Sequence, residues 1–451
     1  MSSLATAVVL VSFVSGSAPG AEPIPAPDAA VAREADGDAD LRARLDRAME
    51  LLERHEAELE KLKQAPPAAA VTPPKPAPAH EAWYDKLRLR GYTQVRYNAP
   101  GIVYNDKLTN EQGDRSMGGN GGFLIRRARL ILFGDVHPRV SVYLQPDFAS
   151  TISDQLGVAI LRDWYADLFL DEKKEFRIRV GQSKVPFGFE NMQSSQNRLP
   201  LDRNDALNSA ARDERDLGAY FYWAPAHIRA RFKQFVDDGL KGSGDYGVVA
   251  FGAYNGQGAN RVELNKFPHL IGRVTWPFAL GDQFLEVGGG GYFGQFTVTT
   301  GSLPDGTRVT SARPANTFTD ARAHLHAVLY PKPFGFALEY NAGVGPQLGT
   351  DNQVSTKPLH GGYLTLMLKL DGVLGSVAMI PFARGALYDG GKKFFTNAPH
   401  YQVRELELGL EWQVVKALEV VLAYNISERT NDRTYQLESG HWTRLQVQFN
   451  Y

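Results

Sequence analysis

The chain has 451 residues, with 49 Lys and Arg against 50 Asp and Glu, a formal net charge of −1 and no Cys. That balance excludes a strongly basic nucleic-acid binder and an acidic disordered tail, and the missing Cys excludes a disulfide scaffold, a thiol enzyme and a Cys-ligated metal. Hydrophobic residues make up 43%, yet no apolar run reaches the length of about 18 residues that a membrane-crossing helix requires, so composition alone resembles that of a soluble protein.

The first 82 residues read as leader, helix and linker. Leu4–Val14 is a short, mostly apolar run followed by small residues up to Ala21, the pattern of a secretory signal over residues 1–21. The first basic residue is Arg33, so the basic start of such a signal is missing; either it is atypical or the true start lies upstream. Residues 22–39 read as disordered. Residues 40–64 contain no Gly or Pro and are rich in Ala, Leu, Glu and Arg, which favours a helix. Leu45, Leu52 and Leu59 fall seven apart, as do Leu41, Ala48, His55 and Leu62. This stripe predicts a short coiled coil, with a solvated amphipathic helix as the alternative. Pro66, Pro67, Pro73, Pro74, Pro76 and Pro78 then make residues 65–82 an extended Ala/Pro-rich linker.

From residue 83 to 451 the hydrophobic pattern has period two. Val140, Val142 and Leu144 alternate with Ser141, Tyr143 and Gln145. Leu418, Val420, Leu422 and Tyr424 alternate with Glu419, Val421, Ala423 and Asn425. Such segments run for about ten residues, the length of a tilted membrane-crossing strand rather than a sandwich strand. Short connections, such as 134–138 and 414–417, alternate with long ones at 99–121, 186–215, 298–318, 343–359, 389–399 and 429–440. Short turns at one rim and long loops at the other predict an all-β fold, an antiparallel transmembrane β-barrel. Aromatics near strand ends (Tyr220–Trp223, Trp276, Phe278, Tyr330, Phe334, Phe394, Phe395) are expected to form interfacial girdles. Counting every alternating segment gives 17 strands, whereas a barrel with both ends at one rim needs an even number. Residues 226–235 alternate poorly, and treating 227–245 as a turn, with a short helix, gives 16; 18 is the fallback. The final strand carries Leu445, Val447, Phe449 and Tyr451 at alternate positions, resembling the C-terminal signal read by barrel-assembly machinery.

Three stretches resemble the phosphate-selective porin O and P family: Gly122–Arg129 (GFLIRRAR), Leu161–Asp167 (LRDWYAD) and, most specifically, Val180–Glu190 (VGQSKVPFGFE). The likeness runs over about residues 84–451 and is clearest over 84–255. It implies an outer-membrane channel, usually trimeric, with an arginine-lined lumen that favours anions and a long loop after the third stretch that folds into the pore. An N-terminal coiled coil in the periplasm is consistent with members of this family.

Arg88, Arg90 and Arg96 share one strand face, as do Arg127 and Arg129, and Arg177 and Arg179. Arg126 falls on the opposite face at its strand's start, where it is expected at the rim. A charge facing lipid at mid-membrane costs about 2–4 kcal/mol, so the arginine faces should point into the lumen. Together with Lys184 they form a candidate track for small anions such as phosphate. The alternative is that these arginines pair with lumenal acids such as Asp147, Asp163 and Asp167. The candidate constriction, 186–215, adds Arg198, Arg203, Arg212 and Arg215 but also several acids. Residues 1–83 carry 8 Lys and Arg against 13 Asp and Glu, leaving 41 against 37 beyond, a weakly positive barrel. No phosphate-cradling or zinc-binding motif occurs, so no cofactor, metal or catalytic residue is expected, and no nucleic-acid partner. His324 and His326 share a face and read as a lumenal polar pair rather than a metal site. Gly288–Gly291 reads as a bend or close-approach site. The leading expectation is a passive anion porin; a general or carboxylate/sugar porin, a barrel enzyme and an envelope tether are the alternatives.

Overall fold

The computed structural model describes residues 34–64, 82–104, 121–152, 155–431 and 436–451. The expected signal peptide and nearly all of the linker lie outside the described residues. The chain divides after His80 into two units. In the first, helix α1 (Glu34–Gln64) begins six residues earlier than the sequence suggested. Leu45, Leu52 and Leu59 are all exposed on it.

The second unit contains sixteen barrel strands among the described residues. They are β1 (Leu87–Tyr104), β2 (Gly122–His137), β3 (Val140–Ile152) and β4 (Gln155–Phe169). Next come β5 (Phe176–Lys184), β6 (Arg215–Trp223), β7 (Val249–Tyr254) and β8 (His269–Leu280). After these follow β9 (Gln283–Thr297), β10 (Thr317–Leu329), β11 (Phe334–Leu348) and β12 (Gln353–Leu368). The last four are β13 (Ala378–Gly391), β14 (His400–Val415), β15 (Leu418–Asn431) and β16 (Gln436–Asn450). Each pairs antiparallel with its sequence neighbour, and β1 pairs with β16 in the register Thr93↔Phe449, so the sheet closes and has no free edge. Gly91 N–H donates to the Tyr451 carbonyl at 2.6 Å, fixing the C-terminal residue at that closure. Two-residue ladders at Thr310–Ser311 and Leu370–Asp371 add to the sheet.

The poorly alternating segment is a helix. After the short helices α2 (Phe189–Met192) and α3 (Asp205–Asn208), α4 spans Ala226–Asp237 and buries Ile228, Phe232 and Phe235. Those positions lie four and seven apart, a helical stripe that no strand could place on one face. The 16-strand count follows from it. Strand length differs from expectation: β11 and β12 are 15 and 16 residues long. The loops expected at 343–359 and 429–440 are largely strand, because pairing continues beyond the membrane thickness wherever both partners offer free backbone groups.

Side chains alternate as the period demands. Leu325, Leu338, Leu364 and Leu422 are exposed on the outer face, while Arg322, Glu339, Thr365 and Val421, on the opposite parity, are buried. The girdle expectation needs correction. Trp276, Phe278 and Phe334 face out, but Tyr220, Tyr222, Tyr330 and Phe394 are buried inside. For Tyr330 the reason is chemical: its hydroxyl donates to Glu286 at 2.5 Å. The lumen is not uniformly polar either. Phe189, Leu199 and Leu201 from the β5–β6 loop meet Ile228, Phe232 and Phe235 of α4 inside the barrel. They pack with Tyr363, Met367, Ile380, Phe382 and Val421 of the wall in one buried apolar cluster.

Candidate functional site

The loop 185–214 runs inside the barrel, and all but five of its residues are buried. The wall grips it with charged side chains. The Glu339 carboxylate accepts the N–H groups of Phe189 and Glu190 at 2.9 and 3.0 Å, and His324 Nε2 accepts from Gly188 N–H at 3.2 Å. Gly188 has φ +77°, and a Cβ there would lie 2.1 Å from Glu339 Oε1, so only glycine makes this entry. Arg322 donates to Ser209 Oγ at 2.7 Å and to the Ser209 carbonyl at 2.9 Å. Arg384 donates to the Asp202 carbonyl at 2.8 Å and pairs with Glu190 at 3.1 Å. Asp202 gathers Arg96 at 3.3 Å, Arg444 at 2.5 Å and Arg126 at 3.8 Å. Arg126 was expected at the rim. The register of β1 against β2 shifts between Gln94 and Val95, leaving Arg126 as the extra residue of a bulge, which re-aims a side chain that strict alternation would send outward.

The arginines predicted as an anion track do converge on the lumen, but most carry a carboxylate. Arg129 pairs with Asp147 at 2.8 Å. Arg179 holds Asp167 with two bonds of 2.7 and 2.9 Å. Arg177 bonds Asp245 at 2.8 Å, and Arg215 bonds Asp163 at 2.9 Å. Arg203 bonds Glu214, and Arg212 lies 3.8 Å from Asp213. Burial would raise the Glu214 carboxyl, but Arg203, Arg215 and Lys184 hold it well below its usual range. The three acids named from sequence, Asp147, Asp163 and Asp167, are thus ladder partners.

Five predicted cations differ. Arg127 donates to Gln94 Oε1 at 2.6 Å, and its Nε has no partner. Arg198 bonds the carbonyls of Pro200 and Leu201, with Nη1 unpartnered. Arg90 reaches only Gln196 Oε1, at 3.5 Å, and Arg88 is exposed on the same face. Lys184 serves the loop, donating to the carbonyls of Met192 and Gln193 at 3.0 and 2.6 Å.

Parity beyond the first strands would have found more. Arg273, Arg322, Arg384, Arg429 and Arg444 are all buried on inward faces. The loop 392–399 carried no such signal. It places Lys393 on Asp320 with the rings of Tyr292, Phe296 and Phe394 at 5.2, 5.1 and 4.8 Å. Burial, opposed by Asp320, lowers Lys393 to about 8. Its charge is therefore present below that pH and lost above it. Raising the pH from about 7 to about 9, where exposed lysines stay charged, should lower anion preference, and Lys393→Arg should abolish the change; pH-independent selectivity in the unsubstituted protein would refute this.

His324 and His326 stack at 5.6 Å as a lumenal pair. Among the described residues no His, Asp and Glu cluster could hold a metal. The glycine run makes room for these rings: a Cβ at Gly288 would lie 2.6 Å from His326 and one at Gly290 3.0 Å from His324. In all, eighteen buried Arg and Lys face fourteen buried Asp and Glu among the described residues, so the interior is net positive.

No curated protein sequence matches the chain. Among solved structures it is similar to the outer membrane channel DcaP of Acinetobacter baumannii, at 12% identity and a TM-score of 0.50, covering 81% of this chain and 97% of that one. It is also similar to OmpF of Salmonella typhi in complex with daunomycin, at 9% identity and a TM-score of 0.51, again covering 81% and 97%. These likenesses show a shared fold. The family model of phosphate-selective porin O and P matches residues 101–451. With a closed 16-strand barrel and a loop folded into its lumen, the chain is an outer-membrane channel, and it belongs to the phosphate-selective porin O and P family.

Proposed function

We propose that this channel passes small anions, phosphate or related oxyanions, by passive diffusion. The observation that carries this reading is the net positive interior, in which Arg127 and Arg198, like the exposed Arg88 and Arg90, have no carboxylate partner among the described residues. Guanidinium groups without an acid remain open to a passing anion. Liposomes carrying the barrel should take up inorganic phosphate faster than erythritol, a neutral polyol closer to it in size than a hexose; faster erythritol entry would sink the reading. The many paired arginines favour the second reading, a general or carboxylate/sugar porin on the same scaffold.

The barrel rim bearing the start of β1 and the end of β16 faces the periplasm in this account, and the N-terminal helix and linker are periplasmic. The exposed Leu45, Leu52 and Leu59 would be covered by the same helix from two further copies, giving a homotrimer. Deleting residues 40–63 should then lower the oligomer's mass or its resistance to dissociation in detergent; an unchanged, equally resistant oligomer would remove this role. The C-terminal strand ending in Tyr451 is the part offered to the barrel-assembly machinery.

A further inference from the structure

A cavity of about 400 Å³ lies between the loop residues 192–197, the segment 243–246 and the wall strands β1 to β5, within the size range of small-molecule sites. A row of rings and guanidinium groups runs along that wall. Arg90 lies over the Phe133 ring at 5.5 Å, and Phe133 meets Tyr143 at 6.3 Å. Tyr143 stacks on Tyr165 at 5.1 Å with 9° between planes, and Arg179 lies 3.8 Å over the Tyr165 ring. Phe133, Tyr143 and Tyr165 are direct cross-strand partners, so the row sits at one level of the barrel. Arg90, Tyr143, Tyr165, Lys184 and Tyr246 all border the cavity.

A second observation points to a ligand. Gln145 also borders the cavity and is only 4% exposed. Its Oε1 accepts from the Tyr143 hydroxyl at 3.0 Å, which turns the amide nitrogen the other way, and that Nε2 has no partner. A buried donor left unmade is costly, and here it borders the same cavity as the exposed guanidinium of Arg90, whose hydrogen bond to Gln196 is long. An anionic head would satisfy both. The ring row asks for something more: its members and Arg179 cover one another's faces, and ring edges that border a cavity are met to advantage by the face of another ring. Phosphate, small and tetrahedral, has none. A neutral sugar could lie on the rings but would leave the Arg90 charge unanswered.

We propose that this cavity is a subsite for aromatic carboxylates, the ring lying against Tyr143 and Tyr165 and the carboxylate taken by Arg90 and the Gln145 amide. It rests on the anion-channel reading and narrows it. The test uses the full-length protein carrying potassium chloride current in planar bilayers, with benzoate, acetate, phosphate or benzyl alcohol added. Benzoate should half-block the current at about tenfold lower concentration than acetate, the scale of one ring contact. Tyr143→Leu should bring benzoate to the acetate level, Gln145→Leu should weaken the block by benzoate and acetate alike, and Tyr143→Phe, which keeps the ring but drops the hydroxyl that orients Gln145, should fall between the parent and Tyr143→Leu. Equal half-block by benzoate and acetate, stronger block by phosphate, or equal block by neutral benzyl alcohol would each overturn the subsite. If the leucine variants do not insert, the comparison of benzoate with acetate in the unsubstituted protein still decides. Equal half-block in a channel that prefers chloride to potassium defeats only the subsite, whereas a preference for potassium defeats the anion reading beneath it.

Discussion

Serine at both Phe232 and Phe235 should raise single-channel conductance about threefold or more, towards that of an unplugged 16-strand bore. The two rings are the buried face of α4, exposed 1% and 0%. Phe235 lies 4.0 Å, centroid to centroid, from Tyr330 and 4.9 Å from Phe284. Each large-to-small change in such a cluster costs about 3–5 kcal/mol. The polar anchors of the helix sit in its first two turns: Arg229 on Asp245 at 2.8 Å and on the Lys174 carbonyl, Arg231 on the Pro277 carbonyl at 2.9 Å and Ala226 N–H on Glu175 at 2.8 Å. Losing the apolar face should therefore free the helix from the lumen while the closed sheet, which it does not complete, persists. Conductance unchanged in a correctly inserted double variant would show that α4 does not narrow the path.

Much of this architecture was legible in the sequence because lipid demands apolar residues on every outward position. That made the period-two pattern readable strand by strand, and it exposed 226–235 as something other than a strand. The inward face imposes no such rule. Ile380, Phe382, Val421 and Ala423 point inward and are apolar, and nothing in their own strands says that α4 and the loop 185–214 will come to cover them. Polar residues therefore do not line the whole interior on the β11–β15 side. The candidate arginines were legible for the same reason as the strands, since lipid excludes charge. Their partners were not: Asp202 meets Arg96 and Arg444 across more than a hundred residues of chain. Arg126 escaped because a bulge adds one residue to the count and reverses the parity on which the argument rests. Lys393 escaped because a loop has no period to read.

Arg127 and Arg179 should behave differently when each is changed to Ala. Arg127 has no acid partner among the described residues, only Gln94. Its loss removes one lumenal charge and orphans no acid, so selectivity should fall while stability stays close to that of the parent. Arg179 supplies both short bonds of Asp167, whose remaining cation, Arg177, is 3.8 Å away. Removing it leaves a buried carboxylate poorly compensated, at a cost of about 3–5 kcal/mol, and places an extra negative charge on the anion path. Arg179→Ala should therefore unfold at lower temperature and lose more anion preference than Arg127→Ala. Adding Asp167→Asn should restore much of both. Equal behaviour of the two single variants, or no rescue, would show that the ladder does not set the lumenal charge.

All of this depends on the sign of the interior field, and one measurement reads that sign directly. A single inserted barrel is placed between compartments holding different concentrations of potassium chloride, and the zero-current potential is recorded near pH 7. An interior with more buried Arg and Lys than Asp and Glu predicts a potential of the sign set by chloride moving down its gradient. A potential of the opposite sign, potassium preferred, would contradict the account.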